Sequence, residues 1–172
     1  MEFRTAREEA DREERQRRFE KSYEDGQNEP DEVLPDDVLL TMVEGHMSVD
    51  FTYELTLRKD GDVVIKRFLR SPVHLRLSAA QTHEVVKACL YGGLGSMRRT
   101  YNRPRVTDSG SYALTLNAAS LKKSVSADGG DADAGPVREL FEKLRALIGV
   151  DAHTGWNAGP LDPPESRPAD GK

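Results

Sequence analysis

The sequence predicts an α+β domain: an antiparallel sheet of about five strands with two helices packed on one face, in the order β-β-β-α-β-β-α. Three observations carry that prediction. Val49, Phe51, Tyr53, Leu55 and Leu57 alternate with Asp50, Thr52, Glu54 and Thr56, the period of two that marks a half-buried strand. Asp60-Gly61 follows directly and supplies the positive-φ pair of a tight hairpin turn. Near the C-terminus Val137, Leu140, Phe141, Leu144, Leu147 and Ile148 recur at helical spacing on one face.

The elements follow in order. Residues 1–24 read as a charged, solvated helix. Glu8/Arg12, Asp11/Arg15, Glu13/Arg17 and Glu14/Arg18 are four apart with the acid first, while Ala6, Ala10, Phe19 and Tyr23 are too few for a coiled-coil seam. Residues 25–37 read as an acidic linker broken by Gly26, Pro30 and Pro35. A single α+β domain spans 38–150. It opens with the apolar run Val38 to Val43, and the hairpin's return strand runs from Asp62 to Leu69. Ser71-Pro72 interrupts the sheet, and Val73 to Leu77 is a short extended piece.

Ser78-Ala79-Ala80-Gln81 is a capping box. It opens a helix carrying Val85, Val86, Cys89 and Leu90 inward and ending at Gly92-Gly93. Tyr112, Leu114 and Leu116 then alternate in a strand, and Leu121, Lys123 and Val125 form its hairpin partner. Asp128 to Gly135 reads as a flexible acidic loop. The last helix starts at Pro136 and stops at Gly149. Residues 151–172, with Pro160, Pro163, Pro164 and Pro168, read as a disordered tail, since little apolar surface offsets the entropy of ordering. Trp156, the only tryptophan, falls there and is either a docking anchor or a solvent-exposed side chain.

Charge separates the same segments: residues 1–37 carry a net −7, residues 38–150 a net +4 and residues 151–172 a net −2. A net +4 is well below what a dedicated nucleic-acid binder usually carries. The single cysteine, Cys89, excludes an internal disulfide framework. The N-terminus, Met-Glu-Phe-Arg, lacks an apolar signal region, and no apolar run approaches membrane-spanning length. The expectation is a cytoplasmic protein that does not engage a membrane.

Catalytic patterns fail on inspection. His83-Glu84-Val85-Val86-Lys87 imitates a zinc-peptidase helix, but Lys87 stands where the second histidine ligand is required. Gly92-Gly93-Leu94-Gly95 follows a helix instead of opening one, so no helix N-terminus faces an anion there. Asp128, Asp131 and Asp133 do not have EF-hand spacing. His46, His74, His83 and His153 are scattered. No catalytic residue, metal or cofactor is expected.

Two features keep functional content. Arg98, Arg99, Arg103 and Arg105 surround Tyr101, a basic loop with one aromatic that suits phosphate contact or an acidic protein surface. Asp108 and Tyr112 read as a structural turn, with the Asp side chain bonding nearby backbone N–H groups. The acidic residues 1–37 are complementary to the basic loop and would screen it until a partner displaces them.

The core resembles an uncharacterised bacterial domain family. The resemblance rests on Asp60-Gly61, Leu77-Ser78, the loop Ser96 to Tyr101, Val106 to Tyr112, and the helix Pro136 to Ile148, and it covers roughly residues 47–149. The family often has a Cys-Pro step before the Tyr of the first strand. Here Val49-Asp50-Phe51-Thr52 precedes Tyr53, so nothing tied to that cysteine transfers. A looser similarity is to emfourin-type inhibitors of thermolysin-like metalloproteases, in the order of strands and helices. Together these imply a non-enzymatic binding or regulatory protein acting on a protein partner, in one form protease-inhibitor-like. The alternative is nucleic-acid or polyanion binding through the Arg98–Arg105 loop.

Overall fold

The computed structural model describes residues 6–102 and 110–164. Among them lie α1 (Ala6–Gln27), β1 (Val38–Gly45), β2 (Tyr53–Arg58), β3 (Asp62–Arg67), β4 (Arg70–Arg76), α2 (Ala79–Tyr91), β5 (Thr100–Tyr101), β6 (Ser111–Asn117), β7 (Lys122–Asp128) and α3 (Gly135–Ile148). The protein is α+β. Among the described residues its sheet has seven strands in the order β4-β3-β2-β1-β6-β7-β5, and it is mixed because β5 runs parallel to β7.

The differences from the predicted five-stranded antiparallel sheet have local causes. Ser71-Pro72 shifts the register between β3 and β4, between Ile65 and Arg67, but does not end β4, which continues to Arg76. β4 is an edge strand, where a residue lacking an N–H costs no ladder bond on the open side. β5 has two residues, too few to show a period. Val49–Phe51 alternate like a strand but form a 3-10 turn, so β2 begins only at Tyr53. The hairpin itself is as expected: Leu57 faces Val63, Gly61 has φ +96°, and the Asp60 carboxylate accepts from the Asp62 N–H at 3.0 Å.

Cross-strand pairing arranges one face of the sheet in rows. Ile65, Leu55, Met42, Leu114 and Val125 lie opposite one another across β3, β2, β1, β6 and β7, and all are buried. Val63, Leu57, Leu40 and Leu116 form the next buried row. Val85, Ala88 and Cys89 of α2, with Val137, Leu140, Phe141, Leu144 and Ile148 of α3, share one core with these rows. Each such aliphatic side chain contributes about 1.5–3 kcal/mol by leaving water. Leu90, expected inward, is exposed on the far side of α2.

Both helices use the predicted end signals. Ser78 accepts from the Gln81 N–H at 3.1 Å while Gln81 Oε1 accepts from the Ser78 N–H at 2.8 Å, completing the capping box. Pro136 sits in the first turn of α3, and Gly149, at φ +86°, ends it. The loop between β7 and α3 is a sequence of tight turns: Asp128 accepts from the Gly130 N–H and Asp131 from the Asp133 N–H, both at 2.9 Å.

α1 is exposed along its described surface up to its last two residues, Gly26 and Gln27, which are half-buried, and it carries the ion pairs Glu13–Arg17 and Glu14–Arg18. The acidic segment after it lies along β7 and β5. The Gln27 amide donates to the Thr100 carbonyl at 2.6 Å and its oxygen accepts from the Thr100 N–H. Asp31 accepts from the Ser124 N–H at 2.8 Å, Glu32 N–H donates to Ser124 Oγ, and Leu34 is buried. Backbone groups on the β7 edge that β5 is too short to reach are thereby satisfied. No described helix is long and apolar enough to cross a membrane.

Candidate functional site

The third row of the same inward face changes character. Arg67, Tyr53, Glu44, Tyr112 and Ala127 lie opposite one another across β3, β2, β1, β6 and β7. Leu40, Met42 and Glu44 share one parity along β1, so the strand that carries two core residues inward carries a carboxylate inward next. Glu44 is 1% exposed.

A buried carboxylate is tolerated only when donors surround it, and here three do. Tyr53 Oη donates to Glu44 Oε2 at 2.9 Å, Arg145 Nη1 donates to Oε1 at 2.5 Å, and His46 Nε2 donates to Oε1 at 3.0 Å. A carboxylate offers about four acceptor positions, so little capacity is left. Burial opposes the Arg145 charge, but the hydrogen bond and field of Glu44 outweigh it and the guanidinium pKa rises. Burial, then the Glu44 charge and hydrogen bond, hold the Tyr53 phenol far above its usual range.

Each partner is positioned by its element. Arg145 lies four residues after Phe141, inside the apolar arc of α3. Its Nε is 3.4 Å from Asp151 Oδ1, because the left-handed Gly149 turns the chain into a 3-10 turn over Val150–Ala152 with Val150 buried. His46 belongs to the loop between β1 and β2. The Thr52 hydroxyl closes that loop, accepting from the His46 N–H at 3.0 Å and facing its carbonyl at 3.2 Å.

Above this floor is a cavity of about 350 Å³ whose walls also include Phe51, Thr154, Trp156 and Asn157. Phe51 meets Trp156 edge-on at 6.1 Å and His46 at 5.8 Å. The Trp156 turn rides directly on the Phe51 ring: a Cβ at Gly155, φ +58°, would fall 2.5 Å from the ring edge. Trp156 is nevertheless 95% exposed.

The segment bearing Trp156 lies in the part of the chain expected to be a disordered tail from 151. That expectation fails for 151–164. Arg67 Nη1 donates to the carbonyls of His153 and Ala158 at 3.2 and 3.0 Å. Arg70 donates through Nε and Nη2 to the Gly159 carbonyl at 3.1 and 2.8 Å, and pairs with Asp50 at 2.8 Å. The Asp162 N–H donates to the Leu69 carbonyl at 2.9 Å. Two arginines of the β3–β4 hairpin thus hold a segment whose own composition offers little to bury.

The residues singled out from the sequence have other surroundings. Arg98 is 3.3 Å from Asp133 and lies over the Tyr101 ring at 5.5 Å. Tyr101 is buried on β5, and its hydroxyl accepts from the Arg98 N–H at 3.0 Å. Arg99 is mostly buried, 4.0 Å from Asp31. Tyr112 belongs to the third row of β6, not to a turn, and packs edge-on against Phe141 at 4.9 Å. Arg103, Arg105 and Asp108 lie outside the described residues. His83 is exposed on α2. Among the described residues no group of three or more His, Cys, Asp or Glu side chains could hold a metal ion.

Glu44, His46, Tyr53, Arg145 and Asp151 were not singled out from the sequence. Two signals were present: an acid at a core parity of β1 and an arginine within the apolar stripe of α3. Opposite charges misplaced on two apolar faces mark a buried pair. No protein-family model matches the chain, and no curated protein matches it.

Proposed function

We propose that the protein is a non-enzymatic binding or regulatory module that docks a protein partner on the end of the sheet around Trp156. The observation that carries this is the indole itself, 95% exposed yet on a turn anchored by Arg67, Arg70 and the Phe51 ring. A large aromatic presented on an ordered support loses little conformational freedom on binding, and tryptophan is enriched among interface residues that dominate affinity. Met47, Val49 and Phe51 on the adjoining loop are also exposed, as are Phe68 and Leu161 beside the Leu69–Asp162 hydrogen bond. Binding without catalysis is supported by Glu44, whose three donors leave it poorly placed to accept a substrate proton.

A protease-inhibitor-like action is the specific form suggested by the emfourin-type resemblance, and it would titrate a thermolysin-like metalloprotease stoichiometrically. The polyanion alternative through the Arg98–Arg105 loop has less support, since Arg98 and Arg99 face Asp133 and Asp31 of the same chain. The test is capture from the native lysate by the full chain and by Trp156→Ala, with and without nuclease. One dominant protein that survives nuclease and is lost with Trp156→Ala supports docking at this surface. Capture unchanged by that substitution, or abolished by nuclease, overturns it.

A further inference from the structure

The cavity beneath Trp156 has a charge imbalance. Glu44 and Asp151 contribute two carboxylates to its walls and Arg145 one guanidinium, so carboxylates outnumber guanidinium groups by one. The negative charge that remains accessible is that of Asp151. Its side chain is 72% exposed, and its ion contact among the described residues is to Arg145 Nε on one side. Beside it, Asn157 donates its amide N–H to the Asp151 carbonyl at 2.9 Å, which leaves the Asn157 side-chain oxygen as an acceptor. The rings of Phe51 and Trp156 line the cavity. Aromatic faces, an accessible carboxylate and an amide oxygen form a set that recognises an ammonium or guanidinium group on an aliphatic stem.

An anion fits less well. Arg145 has an Nε–H without a hydrogen-bond acceptor, but Nη1 is committed to Glu44 and Asp151 lies beside it. An incoming carboxylate or phosphate would therefore approach two negative groups.

We propose that this cavity receives a basic side chain, lysine or arginine, presented by the partner protein, with Trp156 and Phe51 against its stem and Asp151 on its charge. The proposal rests on the docking reading above and names the partner's chemistry at that surface. The partner would accordingly present a basic residue from a protruding loop or chain end, since the charge lies in a cavity walled by the Phe51 and Trp156 rings.

Trp156 is the only tryptophan, so its fluorescence reports on the cavity directly. The full chain is titrated with four capped pentapeptides that differ only at the central residue: lysine, arginine, norleucine or glutamate. The lysine or arginine peptide is expected to give a saturable change, with the norleucine peptide about tenfold weaker and the Asp151→Asn variant weakened by about the same factor. Asp151 is exposed, so this variant retains the fold, which circular dichroism verifies. Norleucine binding as well as lysine would reduce the site to an apolar patch, and preferential glutamate binding would make it an anion site on Arg145. No saturable change with any peptide to millimolar concentration would also overturn the inference. If basic peptides fail while Trp156→Ala still abolishes partner capture, docking stands and only the basic-residue assignment falls. If they bind while capture is indifferent to Trp156, the assignment holds and the docking reading falls.

Discussion

Two rows of the same sheet face, two residues apart along each strand, solve burial in opposite ways. The row Ile65–Leu55–Met42–Leu114–Val125 is apolar throughout and lies under the helices. The row Arg67–Tyr53–Glu44–Tyr112–Ala127 is largely polar and ends beneath the C-terminal segment, where the cavity opens. The apolar row is stabilised by area removed from water, tolerates exchange of similar volumes and makes no demand on pairing. The polar row is stabilised only as a set, because each charge left without its partner costs more than the pair gains. Parity puts a carboxylate where the apolar core stops, and the chain closes over it with α3 and the Trp156 segment.

The largest expected effect comes from breaking the polar row. Arg145→Met leaves Glu44 buried with only Tyr53 and His46 as partners, and urea denaturation should show a loss of about 3–5 kcal/mol. Leu55→Ala in the apolar row should cost about 2–5 kcal/mol by the same measurement, through lost burial and a cavity. The contrast lies in rescue. Removing the second charge relieves Arg145→Met, whereas no single polar change relieves Leu55→Ala. Tyr53→Phe removes one donor to a charged acceptor and should cost about 1.5–3 kcal/mol.

The smallest effect at neutral pH concerns Cys89, which burial in the apolar core pushes from an ordinary 9.0 up to about 12. The folded protein binds the thiol proton more tightly than the unfolded chain. This contribution is therefore fully present below pH 9 and is lost as pH rises from 9 toward 12. At pH 7–8 a thiol-directed reagent should label Cys89 only as fast as the core opens. Fast labelling of the native protein would contradict this placement.

The legible part of the molecule was the part written in local pattern. The Asp60-Gly61 turn, the Ser78–Gln81 capping box and the Pro136–Gly149 helix limits each depend on residues within a few positions of one another. The illegible part depends on partners distant in sequence. Arg67 and Arg70 order carbonyls nearly ninety residues away, a distance no composition window spans. Asp31 and Gln27 complete the edge of a sheet whose last strand is two residues long. Phe51 completes a strand-like alternation yet sits in a 3-10 turn, because the Thr52 hydroxyl closes its loop. The basic loop is visible in the sequence because its charges are adjacent, whereas Glu44 and Arg145 in the cavity are about a hundred residues apart.

Glu44 and Arg145 form one coupled buried pair that floors the cavity. A double-mutant cycle in urea with Glu44→Gln, Arg145→Met and both together measures that coupling directly. The predicted result is a coupling of about 1–3 kcal/mol, with the double variant more stable than Arg145→Met alone. Losses that add to within about 0.5 kcal/mol would contradict the pair and, with it, the cavity built upon it.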